Sequence, residues 1–124
     1  MAYSNVLFVD DNFWCHVENC DYLREHGVNI SEAYSALEAL DVIGAVARVS
    51  ALVTDIDLGA GPDGFDVARY ARAAYPRLPV VYISGAQASR YRREGVERSE
   101  FVSKPFAPQQ IMEALDRAIY LQAA

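Results

Sequence analysis

The sequence predicts an α/β fold in which helices cover both faces of a parallel β-sheet. Apolar runs alternate regularly with segments of helical composition, a pattern typical of β-α units around a parallel sheet. Three of the runs are short, continuously apolar and largely β-branched, as strands buried on both faces are. These central strands are Val6 to Val9, Ala51 to Thr54 and Val80 to Ile83. Five β-α pairs result.

Length and charge restrict the classes of function. With 124 residues, of which 52% are hydrophobic, we expect one domain over residues 1–124, with no length left for a second one. The net charge of −6 argues against direct binding to nucleic acid or to an anionic membrane. No apolar run approaches the roughly 20 residues of a spanning helix, and the N-terminus lacks a signal-peptide pattern. We therefore expect a cytoplasmic protein.

The first strand leads into an irregular helix. Its apolar stripe is formed by Phe13, Val17, Cys20 and Leu23. Cys15 and Cys20 point about 140° apart on a helix, so we expect free thiols. His16 and Cys20 have the i, i+4 spacing of a zinc-binding pair, but no further Cys or convincing His completes a tetrahedral set. We therefore expect this pair to be structural.

The second and third pairs have clearer helices. Val28 to Ala33 is a more polar run, so we place it as an outer strand, and Ser35 through Val46 follows as a helix with an apolar face. After the third strand, Pro62 and Asp63 open a helix that reaches Ala74. A proline at position 76 then ends it.

The helices of the fourth and fifth β-α pairs are predicted with different clarity. Residues 87–98 are polar and rich in arginine, so the fourth helix is predicted to be short or mobile. Phe101 to Ser103 is the other outer strand. The final helix begins near Pro108, a favourable residue in a first turn. Its apolar face is formed by Ile111, Leu115, Ala118 and Ile119.

Polar residues with complementary chemistry end four of the five strands. The first run ends in Asp10 and Asp11, the third in Asp55, the fourth in Ser84 and the fifth in Lys104. In an open parallel sheet, ligands bind beyond the carboxyl ends of the strands. These five side chains are therefore expected to meet in one crevice.

That set of side chains suits phosphoryl transfer. Three carboxylates in one pocket repel each other, and a hard divalent cation relieves this; Mg²⁺ fits, since it takes one or two carboxylates and keeps positions for phosphate oxygens. An ionised Asp55 can attack phosphorus to form an acyl phosphate. Lys104 and the Ser84 hydroxyl would stabilise the charge on the phosphoryl oxygens. Each residue alone has an ordinary structural explanation, and only the set is specific.

The segments VLFVDDN, LVTDIDLG, VVYISG and FVSKPF resemble, in order and spacing, the motifs of response-regulator receiver domains of two-component systems, of the single-domain type. The resemblance extends over the full length. It implies a flavodoxin-like (βα)₅ three-layer sandwich with a parallel five-stranded sheet in the order 2-1-3-4-5.

The resemblance also implies roles for particular residues. Asp10, Asp11, Asp55 and the main-chain carbonyl of Asp57 would bind Mg²⁺, and Asp55 would accept the phosphoryl group from a histidine of a histidine kinase or histidine phosphotransfer protein. Such a protein is not a turnover enzyme, because it catalyses only its own phosphotransfer and dephosphorylation. Phosphorylation would change its contacts with a downstream protein target.

Two further family features fall on the C-terminal half of the chain. Ser84 and Lys104 would hold the phosphoryl oxygens, while Ser84 and Phe101 match the switch positions that move on phosphorylation. The Lys104-Pro105 bond is expected to be cis, as is common in the family.

The loop after Asp55 departs from the family pattern: Gly64 stands nine positions after Asp55, so the loop is one residue longer and rich in glycine.

Three other functions fit parts of the sequence. Asp55-Ile56-Asp57 resembles the nucleophile motif of haloacid-dehalogenase-type phosphatases, but in that family the acid pair follows the nucleophile late in the chain. A flavodoxin-like cofactor carrier would place a neutral phosphate loop after the first strand, where Asp10 and Asp11 would repel a phosphate. A degenerate receiver that only mediates contacts would not need all five chemical residues.

Overall fold

The computed structural model describes residues 3–45 and 48–123, in which five strands alternate with five helices. The strands are β1 (Val6–Val9), β2 (Ile30–Ala33), β3 (Ala51–Asp55), β4 (Val80–Ser84) and β5 (Glu100–Ser103). The helices are α1 (Phe13–Glu25), α2 (Ala36–Gly44), α3 (Gly64–Ala74), α4 (Ala88–Glu94) and α5 (Pro108–Ala123).

All five strands belong to one parallel sheet in the order β2-β1-β3-β4-β5, which confirms the predicted fold. The register pairs Val9 with Thr54 and Asp55 with Ile83. The next pair along the same edge is Ser84 with Ser103. Because the strands are parallel and end nearly level, the residues that follow them are gathered at one edge of the sheet.

The two faces of the sheet carry separate hydrophobic cores. Val6 and Phe8 point to the core under α1 and α5, whereas Leu7 and Val9 point to the core under α2 and α3. This alternation follows from the two-residue period of a strand. The central strands are fully buried, as their continuous apolar runs predicted. None of the helices within the described ranges combines the length and the apolar character needed to cross a bilayer.

The helices begin and end close to the predicted positions. Asn12 caps α1, Ser35 caps α2, and Asp63 forms a capping box with Asp66 at the start of α3. The fourth helix is short, as predicted, with seven residues. The predicted end of the second helix at Val46 lies outside the described residues.

The predicted stripe of the first helix is wrong at its start. Phe13 is 56% exposed and Val17 is only partly buried, whereas His16 and Asn19 join Cys20 on the buried face. The two polar side chains are buried because each has a backbone carbonyl within hydrogen-bonding distance: His16 Nδ1 lies 3.0 Å from Asp10 O, and Asn19 Nδ2 donates to Cys15 O. Cys15 and Cys20 are free thiols, as predicted.

Candidate functional site

Three of the predicted site residues meet at the carboxyl edge of the sheet. Asp10 follows β1, Asp55 ends β3, and Lys104 follows β5. Asp10 is completely buried and Asp55 is 3% exposed. Lys104 reaches Asp55 from the other side of β4, and its Nζ lies 2.9 Å from Asp55 Oδ2. The Lys104-Pro105 bond is cis, as expected.

Asp55 uses both carboxylate oxygens. Oδ2 accepts the hydrogen bond from Lys104, and Oδ1 accepts one from the main-chain N–H of Asp57 at 3.2 Å. A buried carboxylate is costly unless it is paired in this way. The two donors therefore hold Asp55 in one orientation.

A second feature of the site is an acidic cluster that can hold a cation. Asp10, Asp11 and Asp55 offer carboxylate oxygens that all lie within 4.8 Å of one another. Asp10 Oδ1 accepts a hydrogen bond from the N–H of Asn12, but its buried Oδ2 has no hydrogen-bond partner in the described part of the chain. Buried polar atoms rarely lack a partner, and oxygen ligands of this kind are those that Mg²⁺ prefers. The cluster therefore fits a hard divalent cation.

Burial and charge set the protonation of the central carboxyl group. Burial raises the pKa of Asp55 from 3.8 to about 6, while the hydrogen bond and charge of Lys104 oppose this rise and the charge of Asp10 adds to it. Burial is the largest single influence on the pKa of Lys104 and lowers it, but the hydrogen bond to Asp55 together with the negative charges of Asp55 and Asp10 outweighs burial, so the pKa is raised overall. Asp55 is thus mostly ionised at neutral pH, yet more basic than an ordinary aspartate. Both properties favour a carboxylate nucleophile.

Ser84 lies at the same edge, but its hydroxyl is engaged by its own loop. It is the last residue of β4 and 1% exposed. Its Oγ accepts hydrogen bonds from the N–H groups of Ala86 and Gln87, both at 3.2 Å, and lies 3.4 Å from Asp57 Oδ2. Ser84 thus lies at the same edge of the sheet as the acidic cluster, with its oxygen directed to Asp57 and to the loop after β4.

Phe101 is the second residue of β5, away from the strand end that faces the site, and it is half-buried. Its ring stacks on that of Tyr91, with centroids 5.1 Å apart. Tyr91 in turn contacts Tyr82 edge to face, and its hydroxyl donates to the carbonyl of Ser99. Phe101 is therefore part of an aromatic row between β4, β5 and α4.

Two residues of the site could not be identified from the sequence. Gln87 donates from Nε2 to Asp57 Oδ1 at 3.0 Å, which ties the loop after β4 to the loop after β3. Gly64 lies directly against the backbone of Asp55: a Cβ at this position would be 2.2 Å from the carbonyl oxygen of Asp55. The glycine in the lengthened loop was visible in the sequence, but nothing there indicated this contact.

Comparison with known proteins agrees with this geometry. Residues 6–116 match the family model of the response regulator receiver domain. The chain therefore belongs to the response regulator receiver family of two-component systems.

Two curated relatives are much longer than this chain. An NtrX-like response regulator of Rickettsia bellii is 29% identical over 121 residues, which cover 95% of this chain and 25% of that protein. The nitrogen assimilation regulatory protein NtrX of Azorhizobium caulinodans is 31% identical over 101 residues, covering 75% of this chain and 22% of that protein. This chain thus spans at most a quarter of the length of these curated relatives.

Solved structures share the fold closely. A response regulator receiver protein from Sinorhizobium medicae superimposes with a TM-score of 0.91 at 30% identity, and the match covers 96% of each chain. The chemotaxis response regulator CheY4 of Vibrio cholerae has a TM-score of 0.80 at 22% identity, over 93% of this chain and 98% of that one. At 22% identity, the similarity to CheY4 shows a shared fold alone.

Proposed function

We propose that this chain is a phosphorylation switch, in which Asp55 accepts a phosphoryl group with the help of Mg²⁺. The observation that carries the proposal is the position of Asp55: its carboxylate pairs with Lys104 and lies within 4.8 Å of carboxylate oxygens of Asp10 and Asp11, where Asp10 Oδ2 has no hydrogen-bond partner in the described ranges. This combines a nucleophile, a fixed cation and an incomplete oxygen-ligand set. The donor is a phosphohistidine of a histidine kinase or a histidine phosphotransfer protein, by analogy with the family.

In the proposed reaction, an ionised oxygen of Asp55 attacks the phosphorus of the donor. The P–O bond of an acyl phosphate forms while the P–N bond of the phosphohistidine breaks, and the imidazole nitrogen keeps the electron pair. Because burial raises the pKa of Asp55 to about 6, the carboxylate is ionised yet basic at neutral pH. No external general base is needed.

The other residues position and stabilise the reacting groups. Asp10, Asp11, Asp55 and the main-chain carbonyl of Asp57 would hold Mg²⁺, which supplies positive charge to the phosphoryl oxygens when bound. Lys104 places its ammonium 2.9 Å from the attacking carboxylate, so the ammonium needs only a short shift to pair with a phosphoryl oxygen. The Ser84 hydroxyl would donate a hydrogen bond to another phosphoryl oxygen.

We further propose that Ser84 and Phe101 carry the signal to a protein partner. The Ser84 hydroxyl lies near Asp57 and bonds the loop before α4, so its movement toward a phosphoryl group would release Asp57 and alter that loop. Phe101 stacks on Tyr91 of α4 and would repack with the same movement. Amide chemical shifts around these residues in acetyl phosphate with Mg²⁺ test this, and unchanged shifts alongside a phosphorylated Asp55 would contradict it.

The central experiment measures phosphorylation directly. The protein is incubated with acetyl phosphate, with and without Mg²⁺, and its intact mass is recorded. We expect one added HPO₃ group in the wild type with Mg²⁺, and none without the metal or in Asp55→Asn. Asp41→Asn is the matched control, because Asp41 is an exposed aspartate on α2.

The alternatives make different predictions in the same experiment. A degenerate receiver would gain no mass under any condition. A phosphatase of the haloacid-dehalogenase type would release many equivalents of phosphate from added phosphate esters. Either outcome would contradict the proposal that the chain catalyses only its own phosphotransfer and dephosphorylation.

A further inference from the structure

A second group of metal-ligating side chains lies between α1 and β2. His16, Cys20 and Glu32 each offer one ligand atom, and these atoms all lie within 4.8 Å of one another. His16 and Cys20 are one helical turn apart on α1 and therefore share a face. Glu32 comes from β2, which the register places beside Phe8 of β1. The sequence offered no third ligand for the His16–Cys20 pair; the sheet supplies Glu32.

The tautomer of His16 leaves one ring nitrogen available as a ligand. The imidazole is completely buried, and its Nδ1 lies 3.0 Å from the main-chain carbonyl oxygen of Asp10. A carbonyl oxygen can only accept, so Nδ1 carries the proton, and Nε2 of the neutral ring is a bare lone pair. A hydrogen bond from the far nitrogen to a carbonyl is also the arrangement that orients metal-ligating histidines.

The groups around Nε2 favour binding of a cation. Nε2 lies 2.9 Å from Glu32 Oε1, but no well-aligned hydrogen bond joins them, and Nε2 has no hydrogen-bond partner among residues 3–45 and 48–123. The other oxygen of Glu32 accepts a hydrogen bond from Arg24 at 2.8 Å, in an ion pair that keeps the carboxylate ionised. With a neutral imidazole, an ionised oxygen therefore lies 2.9 Å from the lone pair of a buried nitrogen, and a positive charge between the two atoms relieves their repulsion.

Cys20 completes the group as a protected thiol. It is 1% exposed, and burial raises its pKa to about 12, so the thiol keeps its proton when no metal is present. Metal binding releases that proton to solvent, because the ligand is the thiolate. Arg24 remains on the outer oxygen of Glu32, as an outer-shell donor does for a ligating carboxylate.

We propose that His16 Nε2, Cys20 Sγ and the Glu32 carboxylate bind a borderline-soft divalent transition metal ion, best matched by Zn²⁺, with solvent as the fourth ligand. A nitrogen, a sulfur and an oxygen ligand favour Zn²⁺ over Mg²⁺, which prefers oxygen alone. Bonds of about 2.0–2.3 Å place tetrahedral ligands roughly 3.3–3.8 Å apart. Side-chain shifts of about 1 Å therefore close the group around the ion.

This site is distinct from the acidic cluster but touches it through Asp10. The Asp10 carboxylate belongs to the acidic cluster, while its carbonyl oxygen orients His16. The solvent ligand has access from the side of Glu32, which is exposed. The chemistry of the two sites differs enough for one metal probe to tell them apart.

Cobalt is the probe for the test. Co²⁺ is titrated into the protein in excess Mg²⁺, and thiolate-to-cobalt charge transfer is followed in the near ultraviolet. The acidic cluster contains only oxygen ligands and gives no such band. We expect one equivalent of Co²⁺ to produce the band and Zn²⁺ to displace it.

Matched variants assign the ligands. Cys20→Ser should abolish the band while Cys15→Ser retains it, and His16→Gln should weaken Co²⁺ binding at least about tenfold while His26→Gln leaves it unchanged. Glu32→Gln should also weaken binding about tenfold or more; it leaves the buried His16 and Cys20 in place, so a folding defect cannot account for the loss.

Two results would overturn the inference. One is the absence of a charge-transfer band in the folded wild type, which would mean that a proton shared by His16 and Glu32 supplies the missing charge. The other is a band that persists in Cys20→Ser. The test is independent of phosphorylation, because Asp55→Asn should bind Co²⁺ at this site as tightly as the wild type.

Discussion

Replacing Gly64 with alanine tests how tightly α3 is packed against Asp55. The new Cβ would lie 2.2 Å from the carbonyl oxygen of Asp55 and 2.8 Å from the Cα of Ile56. Both are backbone atoms of a buried segment and cannot rotate away. Gly64 is itself held there, because its N–H donates to the carbonyl of Ile56 at 2.8 Å.

The size of the clash sets the expected loss of stability. Contacts of a Cβ below 3.0 Å are essentially never seen, so α3 and β3 must move apart by at least about 0.8 Å. That movement would loosen the packing of Phe65, the next residue of α3, which is completely buried. Overpacking of a core usually costs 1–3 kcal/mol. Since the opposing atoms here are backbone, we expect about 3 kcal/mol or more for Gly64→Ala.

Urea unfolding followed by far-ultraviolet circular dichroism measures this loss. Gly44→Ala is the matched control: among the described residues its Cβ would meet only the Tyr70 hydroxyl, at an ordinary 3.8 Å, so we expect no loss of stability and a gain of up to about 1 kcal/mol from the higher helix propensity of alanine. The rate of Asp55 phosphorylation by acetyl phosphate should fall in Gly64→Ala and not in Gly44→Ala.

An unchanged midpoint and rate for Gly64→Ala would refute the reasoning, because they would mean that the loop after β3 adjusts without disturbing Asp55. A loss of stability with an unchanged rate would refute only the link between this packing contact and the site.

Three further predictions concern the site and its supporting helix. Lys104→Gln should slow phosphorylation by acetyl phosphate about 10²-fold, measured by intact mass over time, because it removes the ammonium beside the nucleophile; an unchanged rate would contradict that role. Because burial raises the pKa of Asp55 from 3.8 to about 6, the folded metal-free protein binds more protons than the unfolded chain between these pH values. Its free energy of unfolding should therefore fall by up to about 3 kcal/mol as the pH rises through that range, measured by urea unfolding with a chelator, and equal slopes in wild type and Asp55→Asn would refute this. Asn12→Ala should destabilise the protein by about 1 kcal/mol in urea, since the Asn12 side chain accepts the N–H of Cys15 at the start of α1, and an unchanged midpoint would exclude a capping role.

The central strands could be predicted because a strand buried on both faces consists of consecutive apolar residues. Val6 to Val9 and Val80 to Ile83 are covered on both faces, so each position is apolar and the run is continuous. The polar residue that ends each run marked the edge of the sheet. The strand order did not follow from these patterns; it came from the resemblance to receiver domains, and the structure confirms it.

The first helix shows why an apolar pattern can be misleading. Phe13 has the spacing of a core residue, but it lies at the helix start, beyond the sheet, where it contacts the rings of Trp14 and Tyr34. His16 and Asn19 are polar yet buried, because backbone carbonyls are within reach of their side-chain nitrogens. Hydrophobicity along one helix cannot report partners that other segments provide.

By itself, the sequence determined the alternation of strands and helices and the identity of Asp10, Asp55 and Lys104 as residues at strand ends, because both are matters of local pattern. Only the tertiary structure decided the distances between them. The 2.9 Å contact of Lys104 with Asp55 and the approach of Glu32 to His16 both depend on sheet pairing between segments far apart in the chain. Parallel strands that pair in the sheet are separated in the chain by long crossover connections, so no residue pattern within one segment specifies the strand order.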